Sequence, residues 1–244
     1  MLVREGEERG NDVDRRLACT LAAIAGALNT AAFYAVGFFS ANMTGNVSSF
    51  SNNLALGNLL GGFFLLTIVA VFIIGSAVST LLINAGRRRR ISGIYAFSIL
   101  LEAALLALLG CADIWLPIAH RGPVLVLGLS FLMGLQNAVV TRISNARVRT
   151  THVSGMATDI GIELGMLIDI ARGSEPKSEA ASYRDRLRLH GTTVLSFFGG
   201  GIAGVLLYRA VEGAMLLATA ALLLAIALNG LVGARKMRVL REAE

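Results

Sequence analysis

The chain has 244 residues, 55% of them hydrophobic and only 16% charged, with a formal net charge of +6. A soluble domain carries about 25% charged residues, yet from Leu17 to Gly86 this chain has no Asp, Glu, Lys or Arg at all. Those proportions exclude a soluble globular domain, which needs a charged surface. They also exclude an intrinsically disordered chain, which is polar and charged throughout.

An α-helix needs about 20 apolar residues to cross the hydrocarbon core of a bilayer. In chain order, six segments meet that requirement, at roughly residues 17–40, 58–84, 92–110, 123–141, 192–208 and 214–232. The first follows a charged tail and is longer than a signal-peptide core, so it reads as a retained span. The apolar run that starts at Leu54 is too long for one upright helix. A break is expected near Gly57 or at Gly61-Gly62, with a short helix before it. Residues 158–171 are too short to span. Ile160, Leu164, Leu167 and Ala171 recur there at helical spacing, and Asp159 and Glu163 stand four residues apart. That segment reads as an interfacial or re-entrant amphipathic helix. The fold class expected is all-α: a polytopic membrane bundle of six transmembrane helices with short interfacial or re-entrant helices. Tails would occupy residues 1–14 and 233–244, around a single membrane domain at 15–232.

Orientation follows from Lys and Arg, which accumulate in cytoplasmic loops. With alternating spans and a cytoplasmic amino terminus, twenty basic residues fall inside and two, Arg121 and Arg209, outside. Arg4, Arg9, Arg15 and Arg16 lie in the first tail, the arginine run occupies residues 87–90, and eight more lie between Arg142 and Arg188. Arg235, Lys236, Arg238 and Arg241 follow the last span. Both termini are therefore expected in the cytoplasm, and the positive charge does not imply nucleic acid. The arginine run reads either as a nucleic-acid or anionic-lipid patch or as a determinant of topology at headgroup level.

The two parts of the chain, about 15–112 and 120–232, show features in the same order. Gly26, Asn29, Leu56 and Gly57 each have an identical residue 108 positions later, at Gly134, Asn137, Leu164 and Gly165. Three spans per part is an odd number, so the halves would enter the membrane from opposite sides. Inverted repeats of that kind are common in transporters.

The polar residues inside this apolar chain are the candidate site. Asn42, Thr44, Gly45 and Asn46 form a helix-breaking turn after the first span. Irregular backbone at membrane depth must be buried in protein or line a wet cavity. The turn is therefore either a half-helix terminus at a substrate or ion site, or an ordinary outer loop. Gln136, Asn137 and Arg142 lie in or at the end of the fourth span, followed by His152, Ser154, Gly155 and Asp159. The amides can bind a solute or hydrogen-bond between helices. Arg142 can snorkel, or it can pair with Asp159, Glu163 or an anionic ligand. Glu102 is the one acidic residue inside an expected span, where a charge costs about 2.5–3.5 kcal/mol on insertion scales. It reads either as a coupling carboxylate or as a protonated group bonded to a neighbouring helix. Small residues spaced four apart, Gly57 and Gly61, Gly75 and Ser79, Gly200 and Gly204, read as helix-packing positions.

Cys19 and Cys111 give no disulfide framework. No P-loop, HExxH, GxSxG or dinucleotide fingerprint occurs. His120, His152 and His190 are scattered, so neither an enzyme, a metal site nor a cofactor is expected. Met43-Thr44-Gly45-Asn46-Val47 resembles the YoaK-like family of predicted bacterial inner-membrane proteins. So does Gly134-Leu135-Gln136-Asn137-Ala138 followed by Thr150-Thr151-His152-Val153-Ser154-Gly155 and Asp159. The similarity runs over about residues 15–235, with Ser154 where members often carry Thr. The resemblance implies a multi-pass protein of the bacterial inner membrane and supplies no substrate. The function expected is passage of a small solute, in a transporter or a channel-like protein. The alternative is a scaffold or lipid-interacting subunit. The partners expected are the lipid bilayer, a small solute or proton, and a second copy of the chain.

Overall fold

In a bilayer every backbone N–H and C=O must find its partner within the protein, so apolar runs become helices. The computed structural model describes residues 2, 10–91 and 93–242. Arg4, Arg9 and Ser92 lie outside the described residues, as do the side chains of Arg238 and Arg241. Eight α-helices occur among the described residues, with no strand. They are α1 (Asn11–Val36), α2 (Met43–Ala55), α3 (Leu59–Arg88), α4 (Ile94–Trp115), α5 (Ile118–Ile143), α6 (Val153–Arg172), α7 (Ala180–Val211) and α8 (Gly213–Glu242). Six of them, α1, α3, α4, α5, α7 and α8, are long and apolar enough to cross a membrane. The chain is a multi-pass integral membrane protein with an all-α fold. Exposed apolar side chains along the spans, such as Phe63, Ile73, Leu195, Leu207, Leu228 and Val232, form the surface that meets lipid.

The helix bounds differ from the sequence expectation in informative ways. The break falls at Gly57, which has φ +75, and not at Gly61-Gly62, which lie in the first turn of α3. Cys111 lies inside α4 and not after it. Pro123 sits inside α5, because that helix starts five residues earlier, at Ile118. The fifth span begins at Ala180 and not Thr192, because charge does not stop a helix whose first turns stand in water. The amphipathic helix begins at Val153, so Ser154 and Gly155 form its first turn. Leu56-Gly57 and Leu164-Gly165 are not equivalent in structure: Gly57 separates two helices, whereas Gly165 lies within α6.

The helices pair as α1 with α7, α3 with α5, and α4 with α8. Apolar burial gives little drive between helices in lipid, so close approach matters more. A Cβ on Gly26 of α1 would overlap the Phe197 carbonyl of α7, and one on Gly200 would overlap the Ala23 carbonyl. The α3–α5 crossing has the same form: Gly134 stands against the Phe72 carbonyl and Gly75 against the Phe131 carbonyl. A hydroxyl bridges each crossing. Thr30 donates to the Gly201 carbonyl at 2.9 Å and Ser76 to the Gly134 carbonyl at 3.0 Å.

Polar pairs fix the remaining contacts. Gln136 Nε2 of α5 donates to Glu102 Oε1 of α4 at 2.8 Å, and both side chains are fully buried. Glu102 Oε2 and Gln136 Oε1 are buried without a hydrogen-bond partner. Two acceptors cannot bond each other, but the acid form of Glu102 could donate from Oε2 and close a two-bond ring with the amide. At one end of the bundle, Tyr208 donates to Asp113 Oδ2 at 2.8 Å, while Arg121 reaches Asp113 at 3.5 Å and Glu212 at 3.3 Å. At the other end, Arg147 meets Asp14 at 2.9 Å and Asn11 donates to Asp185 at 3.2 Å. These contacts gather the start of α1, the end of α5 and the start of α7 on one face.

Two stability outcomes follow, both read as thermal unfolding in detergent. Gly134→Val must push α3 from α5 and should cost about 1–3 kcal/mol or more. Gly161→Ala, with open space around it, should be neutral or slightly stabilising; equal behaviour of the two would remove the close-packing account. Glu102→Gln keeps a hydrogen bond to Gln136 and should stay within about 1 kcal/mol of the parent. Glu102→Leu strands the Gln136 amide and should cost about 1–3 kcal/mol. A Leu variant as stable as the Gln variant would contradict the pairing.

Candidate functional site

Two segments turn back into the bundle. α1 ends at Val36, and Gly37 at φ +76 reverses the chain. The Ala41 N–H then donates to Asn29 Oδ1 at 2.8 Å. Asn29 lies seven residues before the end of α1, so the chain has returned about 10 Å along that helix. Phe39 stacks on Phe33 with ring centres 4.2 Å apart, and Asn46 donates to the Phe39 carbonyl at 3.1 Å. α2 therefore starts inside the bundle. The Asn42 side chain caps it by accepting from the Gly45 N–H at 3.1 Å.

The link after α5 does the same by different chemistry. Asn145 and Ala146 take positive φ, and the Ser144 hydroxyl accepts from the Val148 N–H at 3.1 Å. The Thr151 hydroxyl then donates to Asn137 Oδ1 at 2.8 Å, while Asn137 Nδ2 donates to the Met133 carbonyl. Asn137 is six residues before the end of α5, a return of about 9 Å. α6 starts there, with His152 as its uncapped first flanking residue. A Cβ on Gly155 would strike the His152 ring, and one on Gly45 would strike the Asn42 side chain. Glycine in the first turn thus leaves room for the flanking side chain at both starts.

Both starts open on one cavity of about 1250 Å³. Asn29, Asn42, Thr44 and Gly45 line it from one side, and Asn137, Arg149, Thr151, His152 and Ser154 from the other. α3 contributes Phe72, and α7 supplies an apolar wall that includes Phe197, Phe198 and Ile202. An Arg149 guanidinium nitrogen lies 3.1 Å from His152 Nδ1. Guanidinium only donates, so Nδ1 accepts and the imidazole proton sits on Nε2. No carboxylate lines the cavity among the described residues.

The cavity gathers Asn42, Thr44, Gly45, Asn137, His152 and Ser154 of the residues singled out in the sequence. Asn46 and Gly155 stand behind its lining. Glu102 and Gln136 do not reach it and pair with each other between α4 and α5. Arg142 donates to Asn84 Oδ1 of α3 at 2.6 Å, and neither Asp159 nor Glu163 is its partner. Asp159 lies in a separate polar groove near the start of α1, with Asp14, Arg147, Glu163 and Arg186. Glu163 stands 2.9 Å from His190 there, and burial pushes its carboxyl above the usual carboxylate range while His190 pulls it back. Among the described residues no cluster of His, Cys, Asp and Glu suits a metal ion. Asn29, Thr30, Arg149 and Thr151 were not among the candidates. For Asn29 a signal existed, its identity with Asn137 at the 108-residue offset.

Comparison with known proteins adds one match. The family model described as "Protein of unknown function (DUF1275)" matches residues 17–229. No curated protein and no solved structure matches the chain. The matched stretch reaches all six spans and covers both turned-back segments and every residue that lines the cavity, and it agrees with the YoaK-like resemblance of the sequence motifs. The chain belongs to the DUF1275 family, whose function its description leaves open.

Proposed function

We propose that this protein is a transporter that carries a small solute across the bacterial inner membrane through the cavity between α2 and α6. One observation carries the reading: two helices start inside the bundle and open on the same space. Discontinuous helices whose ends face a central site are a recurring device of secondary transporters. A scaffold has no use for a cavity of about 1250 Å³ lined by Asn, Thr, Ser and Arg side chains. The transport reading does not depend on Glu102, whose partner is Gln136.

We take the two parts of the chain as inverted halves. Support comes from the matched crossings: Gly26 and Gly134, 108 residues apart, each meet a phenylalanine carbonyl on the facing helix. The pairing of α2 with α3 and of α6 with α7 repeats the same relation. We place both termini in the cytoplasm, because all the basic residues but Arg121 and Arg209 fall on one side when the six spans alternate. Reporter fusions after residue 90 and after residue 244 should read inside, and one near residue 118 outside. An external signal after residue 90 would reverse the orientation.

The latches give a second test. Asn137→Ala leaves the Thr151 hydroxyl without its acceptor and should cost about 1–3 kcal/mol of stability. The transport reading itself is tested by cysteine accessibility, with Cys19 and Cys111 replaced by Ala. Thr44→Cys and Ser154→Cys, each alone in proteoliposomes, should react with a membrane-impermeant thiol reagent, and reaction should block solute counterflow. If neither position reacts from either side, the space is not a solute path and the scaffold reading replaces this one.

A further inference from the structure

The proposed transport path has a definite chemical bias, and the inference that follows rests on that reading. The lining is rich in donors. Arg149 is its cation, and among the described residues no Asp or Glu lines the space. The first three amides of α6, at Val153, Ser154 and Gly155, have no acceptor among the described residues, since His152 provides no cap. Those amides carry the positive end of the helix dipole. His152, which accepts at Nδ1 and lines the cavity, keeps its Nε2–H as one more donor.

A second observation is independent of helix ends. Asn29 is only 5% exposed, and its Oδ1 is taken by the Ala41 N–H. Its Nδ2 donates to nothing among the described residues, and the side chain lines the cavity. The nitrogen keeps some exposure to the cavity, so it stands as a donor open to whatever acceptor fills that space. Its counterpart Asn137 is satisfied at both ends of its amide. The open donor of Asn29 therefore points to an acceptor that the protein itself does not provide.

Much of the remaining wall is apolar, including Phe39, Phe72, Val194, Phe197, Phe198 and Ile202. A multiply charged anion would lose its hydration against that wall with one arginine to compensate, which is unfavourable. We propose that the cavity binds a singly charged carboxylate with an apolar body, its carboxylate at Arg149 and the open amides of α6 and its body along α7. A short water-soluble carboxylate and a fatty acid entering from the bilayer share this chemistry.

The test uses purified protein in detergent and three matched series: straight-chain carboxylates from acetate to dodecanoate, and the corresponding primary amides and amines. Binding is read by thermal shift and isothermal titration. Carboxylates should stabilise the protein and the matched amides and amines should not. An optimum at short chains identifies a soluble solute, and one at long chains identifies a fatty acid. Arg149→Gln, at an exposed position, should weaken carboxylate binding about tenfold, the scale of one charge-assisted contact. Asn29→Asp keeps the acceptor for Ala41 and adds a negative charge, so it should turn the preference towards amines. Equal binding of amides or amines by the parent, no stabilisation by any carboxylate, or an unchanged affinity in Arg149→Gln would each overturn the assignment. Counterflow in proteoliposomes is measured separately. Amines that bind and move would keep the transport reading and remove this one. Carboxylates that bind and do not move would keep this one and remove transport.

Discussion

Two asparagine side chains hold open what the bilayer would otherwise close. Irregular backbone at membrane depth has unmet N–H and C=O groups, and lipid satisfies none of them. Asn29 takes the Ala41 N–H and Asn137 takes the Thr151 hydroxyl, each about two turns back from the end of its helix. Those bonds let two chain segments leave the membrane surface, return, and start new helices inside the bundle. The cavity exists because those helices start where a continuous helix would have filled the space. The glycine-lined crossings serve the same end, since α1 against α7 and α3 against α5 bring two walls of the cavity together without bulky side chains between them.

Charge is partitioned as strictly as backbone bonding. The ion pairs stand at the two ends of the bundle, with Asp113, Arg121 and Glu212 at one and Asp14 and Arg147 at the other. In the middle, Glu102 is matched with a neutral amide. Two arginines depart from the pattern, each bonded to a neutral group: Arg142 to the Asn84 amide, and Arg149, which faces the cavity, to the His152 ring. An ionisable residue that departs from this partition is where function is to be sought. The polar groove around Asp159 and Glu163 lies at the water-facing end, where charge needs no such explanation.

How far the sequence foretold this depends on the range of each interaction. The spans were legible because the signal is local: seventy residues without charge can only be lipid-facing or buried among helices. The break at Gly57 was legible for the same reason. The start of α7 was not, because Arg184, Asp185, Arg186 and Arg188 look like a loop and are in fact helix standing in water. The cost of burying Glu102 was plain, but its partner Gln136 is 34 residues away and only packing brings them together. Thr44 and Ser154 were suspected as polar residues near apolar spans. The α7 wall was not, since Phe197 and Phe198 look like any lipid-facing pair. Asn29 sits in an apolar run with no neighbour to mark it, and only the match with Asn137 gave a hint.

The central claim is that α2 and α6 begin inside the bilayer, in a space that water reaches. Spin labels attached at Thr44→Cys and Ser154→Cys in reconstituted protein measure it directly, through collision rates with oxygen, which favours lipid, and with a polar nickel complex, which favours water. The account predicts that both labels lie below the headgroups and still collide freely with the nickel complex. Labels at headgroup depth, or deep labels shielded from the nickel complex, would contradict it.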